Sequence, residues 1–160
     1  MAADQMEVNA LLADSVATAD GKLFVQGGGW TNLTASELPF HQDRIGIGIL
    51  IYVPYTATNE EHKLEISLQD QDGNALVLGN APPGVESEDG KIRRFQAHFN
   101  VGRPPTIPPG DEQAVPFGLN INSLQFERAD LYTFVIDVDG TPMKRLPFRV
   151  HQKQTQVLSG

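Results

Sequence analysis

The chain has 160 residues, of which 40% are hydrophobic and 20% charged, a makeup that suits one soluble globular domain rather than a disordered segment. Its net charge of −8 and pI of about 4.8 argue against sequence-independent binding of nucleic acid and against docking on anionic lipid, both of which need clustered Lys and Arg. With no cysteine it has no disulfide, no thiolate nucleophile and no sulfur-ligated zinc.

No run of 18 apolar residues is present, so no membrane-spanning helix is expected. The start, Met1-Ala-Ala-Asp-Gln-Met-Glu-Val, lacks the basic and apolar regions of a signal peptide. A cytoplasmic location is expected, and the sequon at Asn32-Leu33-Thr34 reads as a surface loop.

In chain order, Val8–Ala17 and Lys22–Gln26 are expected strands joined by Asp20-Gly21, a pair suited to a hairpin turn with positive φ. Gly27-Gly28-Gly29-Trp30 reads as a bulge or edge crossing that folds the only tryptophan onto the core; the other reading is a backbone nest with Trp30 as a stacking platform. Residues 31–43 are expected to form a loop. The run from Ile45 to Val53 carries the strongest β signal. Ile45, Ile47, Ile49, Ile51 and Val53 make one face β-branched, and Gly46 and Gly48 leave space on the other. Pro54 ends it, and this strand is expected to be the centre on which two sheets are built. Trp30 is expected to pack over the Gly46/Gly48 face.

His62–Asp70 alternates cleanly and turns at Asp72-Gly73, with Ala75–Leu78 as the returning strand. Residues 79–90 form an exposed loop. Lys91–Val101 is a strand, and Arg103–Gly110 a stiff, polyproline-like crossover. Val115, Phe117, Leu119 and Ile121 alternate in the next strand. Leu131–Val138, Asp139-Gly140 and Met143–Val150 make a closing hairpin. The pattern gives an all-β fold, an immunoglobulin-like antiparallel β-sandwich of about eight or nine strands, as one domain over 7–151 with flexible termini 1–6 and 152–160. Tyr132, just before a strand, sits where a tyrosine corner ties its hydroxyl to the preceding loop.

The Asp20-Gly21-Lys22-Leu23 to Gly27-Gly28-Gly29-Trp30 segment, the Leu64-Glu65-Ile66 to Asp72-Gly73 hairpin and the Tyr132 to Val150 ending together resemble a family of small bacterial β-sandwich proteins of unknown function, many from actinobacteria. The resemblance implies a small cytoplasmic β domain and transfers no functional residue.

Chemistry-bearing constellations are sparse. His41, His62, His98 and His151 sit at unrelated spacings and read as surface or strand-end histidines; there is no nucleophile elbow, P-loop or dinucleotide fingerprint. Asp70-Gln71-Asp72-Gly73-Asn74 begins like a calcium loop, but its glycine comes early and Ala81 stands at the twelfth position. Asp137 and Asp139 recur in the last turn. No catalytic, cofactor or metal residue is assigned, and no cofactor is expected. The leading expectation is a non-enzymatic protein-interaction or structural module that associates with itself, with a protein partner or within a larger particle. The alternative is a small-molecule, sugar or calcium-binding sandwich using Trp30, Tyr52, Tyr55 and the acidic loops.

Overall fold

The computed structural model describes residues 6–154. Twelve strands are formed: β1 (Glu7–Ala13), β2 (Ser15–Ala19), β3 (Lys22–Gln26), β4 (Asn32–Ala35), β5 (Phe40–Val53), β6 (Glu61–Gln69), β7 (Gly79–Asn80), β8 (Lys91–Ile92), β9 (Arg94–Asn100), β10 (Gln113–Phe126), β11 (Asp130–Val138) and β12 (Thr141–Gln152). Three strands make sheet I, in the order β1-β5-β10, and five make sheet II, in the order β4-β12-β11-β6-β9. The eight strands of these sheets form the sandwich. Among the described residues the only helical segment is a 3-10 turn at Tyr55–Ala57, and no helix is long and apolar enough to cross a membrane.

The core lies between the sheets, where period-2 alternation sends every second side chain inward. Ile45, Ile47, Ile49, Ile51 and Val53 of β5 are fully buried. Facing them are Leu64, Ile66 and Leu68 of β6, Phe134, Ile136 and Val138 of β11, and Phe148 and Val150 of β12. Removal of each such side chain from water contributes roughly 1.5–3 kcal/mol. The expected tyrosine corner is present: the Tyr132 hydroxyl donates to the Arg128 carbonyl at 2.7 Å.

Several expectations are corrected. The run Val8–Ala17 is not one strand. Asp14 breaks it, donating its N–H to the carbonyls of Gln26 and Gly27. β1 joins β5, while β2 turns away to pair with β3 through the Asp20-Gly21 turn. β5 starts at Phe40 and is the centre of sheet I alone. The expected loop 31–43 contains β4, which runs parallel to β12 and so departs from an all-antiparallel sandwich. Ala75–Leu78 does not return as a strand; it keeps a single bridge, Gln69 to Ala75. The strand 91–101 is split at Arg93 into β8 and β9. Met6 is buried and β12 reaches Gln152, one residue beyond the expected 7–151 at each end; residues 1–5 and 155–160 of the expected flexible termini lie outside the described residues.

The Gly46/Gly48 face is covered by the β2–β3 hairpin, not by Trp30. A Cβ at Gly46 would lie 3.1 Å from the Ser15 carbonyl carbon, and one at Gly48 would lie 3.1 Å from a Leu23 methyl. Asn120 on neighbouring β10 clamps the hairpin, accepting from the Val16 N–H at 3.0 Å and donating to the Val16 carbonyl at 2.9 Å. Gly46→Val is therefore expected to lift the hairpin and to cost about 1–3 kcal/mol. Thermal unfolding reads the cost. An unchanged midpoint would show that the hairpin does not rest on β5.

Candidate functional site

One side of the sandwich is closed and the other is open. On the closed side β1 packs against β12. On the open side β9 ends sheet II and β10 ends sheet I, each hydrogen-bonded to one neighbour among the described strands. Between them lies a cleft of about 160 Å³, floored by Ile49, Leu64 and Ile66 and walled by Phe95, Ala97, Phe117 and Leu119. The wall residues are half-buried, partly exposed at the rim. One end of the cleft is shut by Phe99 and Phe117, whose rings meet edge to face at 5.3 Å.

The outer face of β9 is polar and held in place. Glu65, nearly buried on β6, accepts from Arg94 at 2.9 Å and Gln96 at 3.3 Å and pairs with Lys63 at 3.2 Å. Burial alone would raise the Glu65 carboxyl; Lys63 and Arg94 outweigh it and hold the group below the usual range. His98 lies 3.3 Å from Glu61. β9 thus combines apolar inward residues, a free backbone edge and a fixed polar rim, the features that let a sheet accept another strand. The sequence did not mark this side, because Phe95, Ala97 and Phe99 alternate just as they would in an interior strand.

A second concavity, a groove of about 850 Å³, lies beside the tyrosine corner. Leu76, Leu78, Leu124 and Tyr132 line it with Asp70, Lys91 and Arg128. The charged groups there are already engaged. Asp70 accepts from the backbone N–H groups of Asp72 and Asn74, both at 2.9 Å. Arg128 spans Asp70, Asp72 and Asp130 at 3.4, 3.3 and 3.1 Å. The Asn74 backbone N–H is the main cause that holds the Asp70 carboxyl below the usual range. The Asp70/Asp72 turn is therefore closed by its own backbone and an arginine. Among the described residues no three of His, Asp and Glu converge as a metal site.

The last turn has a different task. Asp139 accepts the Lys63 N–H at 2.9 Å through Oδ1 and contacts His62 Nδ1 at 2.7 Å through Oδ2. His62 Nε2 lies 2.7 Å from the Ala57 carbonyl oxygen. His62 stands second in β6, at the strand end that one reading expected, but it is 2% exposed and so lies in the core and not on the surface. With an acceptor on each ring nitrogen, only the imidazolium satisfies both contacts. Burial opposes that charge; the Ala57 carbonyl and Asp139 outweigh it and raise the pKa above the ordinary 6.5. Asp137, two residues earlier on β11, does not join Asp139: Asp137 Oδ1 is buried without a hydrogen-bond partner, and burial pushes the carboxyl up.

The aromatic platforms are also dispersed. Trp30 is half-buried, edge-on to Phe148 at 5.8 Å, with its indole N–H buried and unpartnered. It is a wall of the core, as the bulge reading expected. The glycines before it serve passage of the chain: Gly27 has φ +64°, a Cβ there would strike the Asp14 carboxylate, and the Gly29 N–H donates to Leu12 at 2.7 Å. Tyr55 lies under the Arg103 guanidinium at 4.1 Å, and the same side chain donates to the Thr58 hydroxyl and the Tyr55 carbonyl. Trp30, Tyr52 and Tyr55 are not brought together at either concavity.

A model of a family of unknown function, DUF6941, matches residues 8–151. No curated protein matches the chain. Solved structures of similar shape include the Pseudomonas fluorescens alkylpurine DNA glycosylase AlkC bound to DNA containing an abasic site analogue, at 8% identity and a TM-score of 0.43, over 92% of this chain and 30% of that one. Another is a β-glucosidase from Listeria innocua in complex with glucose, at 9% identity and a TM-score of 0.38, over 92% of this chain and 16% of that one. The chain spans under a third of either protein, and likeness at this level carries no ligand or activity to it.

Proposed function

We propose that this chain, which belongs to the family of unknown function DUF6941, is a non-enzymatic protein-interaction module that takes an extended protein segment along its open side. One observation carries the reading: the edge strands β9 and β10 flank an apolar cleft, while on the opposite side β1 packs against β12. An added strand gains main-chain hydrogen bonds from an edge, and its alternate side chains fill the cleft. Cytoplasmic location and membership of a larger particle belong to the same reading.

The test is selection of peptides from a random nine-residue library, with each enriched peptide then titrated against wild-type protein and Leu119→Lys. Peptides with alternating apolar residues that lose binding to the variant support the reading. Enrichment of nothing, or of peptides indifferent to Leu119→Lys, contradicts it.

A second reading, small-molecule binding, is favoured by the groove of about 850 Å³. It transfers the expected ligand site away from Trp30 to Tyr132, Arg128 and the leucines around them. Thermal-shift screening with calcium, sugars and small carboxylates distinguishes the two: a shift abolished by Leu124→Lys favours the groove, and no shift with any ligand removes it.

A further inference from the structure

The open side needs an extended segment with apolar residues on one face, and β9 itself is such a segment. We propose that the partner at this edge is β9 of a second copy of the chain, paired antiparallel about a two-fold axis at Ala97. This rests on the open side being the interaction surface.

In a two-fold contact, if one residue faces another, the reverse pair also forms. An axis at Ala97 sets Arg94 opposite Asn100 of the second copy, Gln96 opposite His98, and Phe95 opposite Phe99. No like charges meet. Arg94 reaches the contact with its own counter-ion, Glu65 at 2.9 Å, and His98 lies 3.3 Å from Glu61. The location also answers a long-range problem. Two chains of net charge −8 repel, and β9, Arg94-Phe-Gln-Ala-His-Phe-Asn100, contains no carboxylate. The small Ala97 at the axis lets the two backbones approach, and the Phe95 and Phe99 pairs extend the cleft of each copy across it. The β10 edge is a poorer template, because Pro116 lacks an N–H and blunts it; no proline interrupts β9.

Sedimentation equilibrium on the full chain tests this with two substitutions at exposed Asn100. Within its own chain Asn100 lies opposite Glu61. Asn100→Arg thus gains a partner in the monomer but faces Arg94 across the axis twice. Asn100→Glu gains a like charge in the monomer but faces Arg94 favourably twice. We expect a wild-type dimer whose dissociation constant rises roughly fivefold with Asn100→Arg and falls by about the same factor with Asn100→Glu. A monomer at millimolar concentration overturns the proposal. So does a dimer indifferent to both changes, or one that responds in the reverse order. If the chain stays monomeric while selected peptides still bind and Leu119→Lys abolishes that binding, the second copy is wrong and the interaction surface stands. If the peptides fail too, both fall.

Discussion

Phe148→Ala is expected to lower stability by about 3–5 kcal/mol, a large share of the roughly 5–15 kcal/mol that holds a domain folded. Phe148 is 1% exposed on the inward face of β12. Its ring meets Trp30, Phe126, Tyr132 and Phe134 at centroid distances between 5.6 and 5.9 Å. Those partners come from the segment before β4, from β10 and from β11, so the cavity would open where both sheets and the parallel edge strand meet. β-sheets fixed by cross-strand pairs on both sides collapse poorly around a void, which places the cost high in the range. Because Trp30 is the only tryptophan and lies edge-on to this ring, its fluorescence reports the change directly. Urea unfolding followed at Trp30 is expected to show the loss with a red-shifted native emission. A loss under about 1 kcal/mol would mean that the aromatic cluster is not the centre of the core.

The second large effect is electrostatic and depends on pH. His62 ties the Tyr55–Ala57 turn to the β11–β12 turn through two acceptors, Ala57 O and Asp139 Oδ2. Burial lowers its pKa, but the two acceptors, with a smaller push from Glu60, raise it overall. A group whose folded pKa lies above its unfolded value stabilises fully below the unfolded value, here 6.5, and the contribution fades as pH rises through the folded pKa. Asp139→Asn keeps an oxygen for the Lys63 N–H and tolerates the positive φ of 52° at this position, yet removes the charge. It is expected to cost about 1.5–3 kcal/mol below pH 6.5, and much less at alkaline pH, where the ring is neutral in both states. Denaturant unfolding of both proteins across that window gives the result. A cost that stays constant with pH would mean that His62 is neutral in the fold.

Much of the fold was readable from alternation and turns. Ile45 to Val53 announce a buried strand face, and Asp20-Gly21 and Asp139-Gly140 announce their hairpins through positive φ. Tyr132 announces its corner. What was not readable depends on which strands become neighbours. Asp14 breaks the first strand only because its N–H finds Gln26 and Gly27. Gly46 and Gly48 signal a close approach without naming the visitor, which proves to be the β2–β3 hairpin and not Trp30. His62 looks like a strand-end residue until Ala57 and Asp139 converge on it from 5 and 77 positions away. The open side is the extreme case. Phe95 and Ala97 on β9, and Phe117 and Leu119 on β10, have the pattern of interior strands, and only the sheet order turns them into the rim of a cleft.

That rim is the centre of the functional account, and amide hydrogen exchange over a dilution series tests it most directly. Pairing at the open side predicts that protection over 94–100 falls as the protein is diluted, while β5 and β11, paired on both edges, stay protected at every concentration. Exchange over 94–100 that does not change with concentration, or a concentration-dependent change confined to another surface, would contradict the pairing of β9 with a second copy.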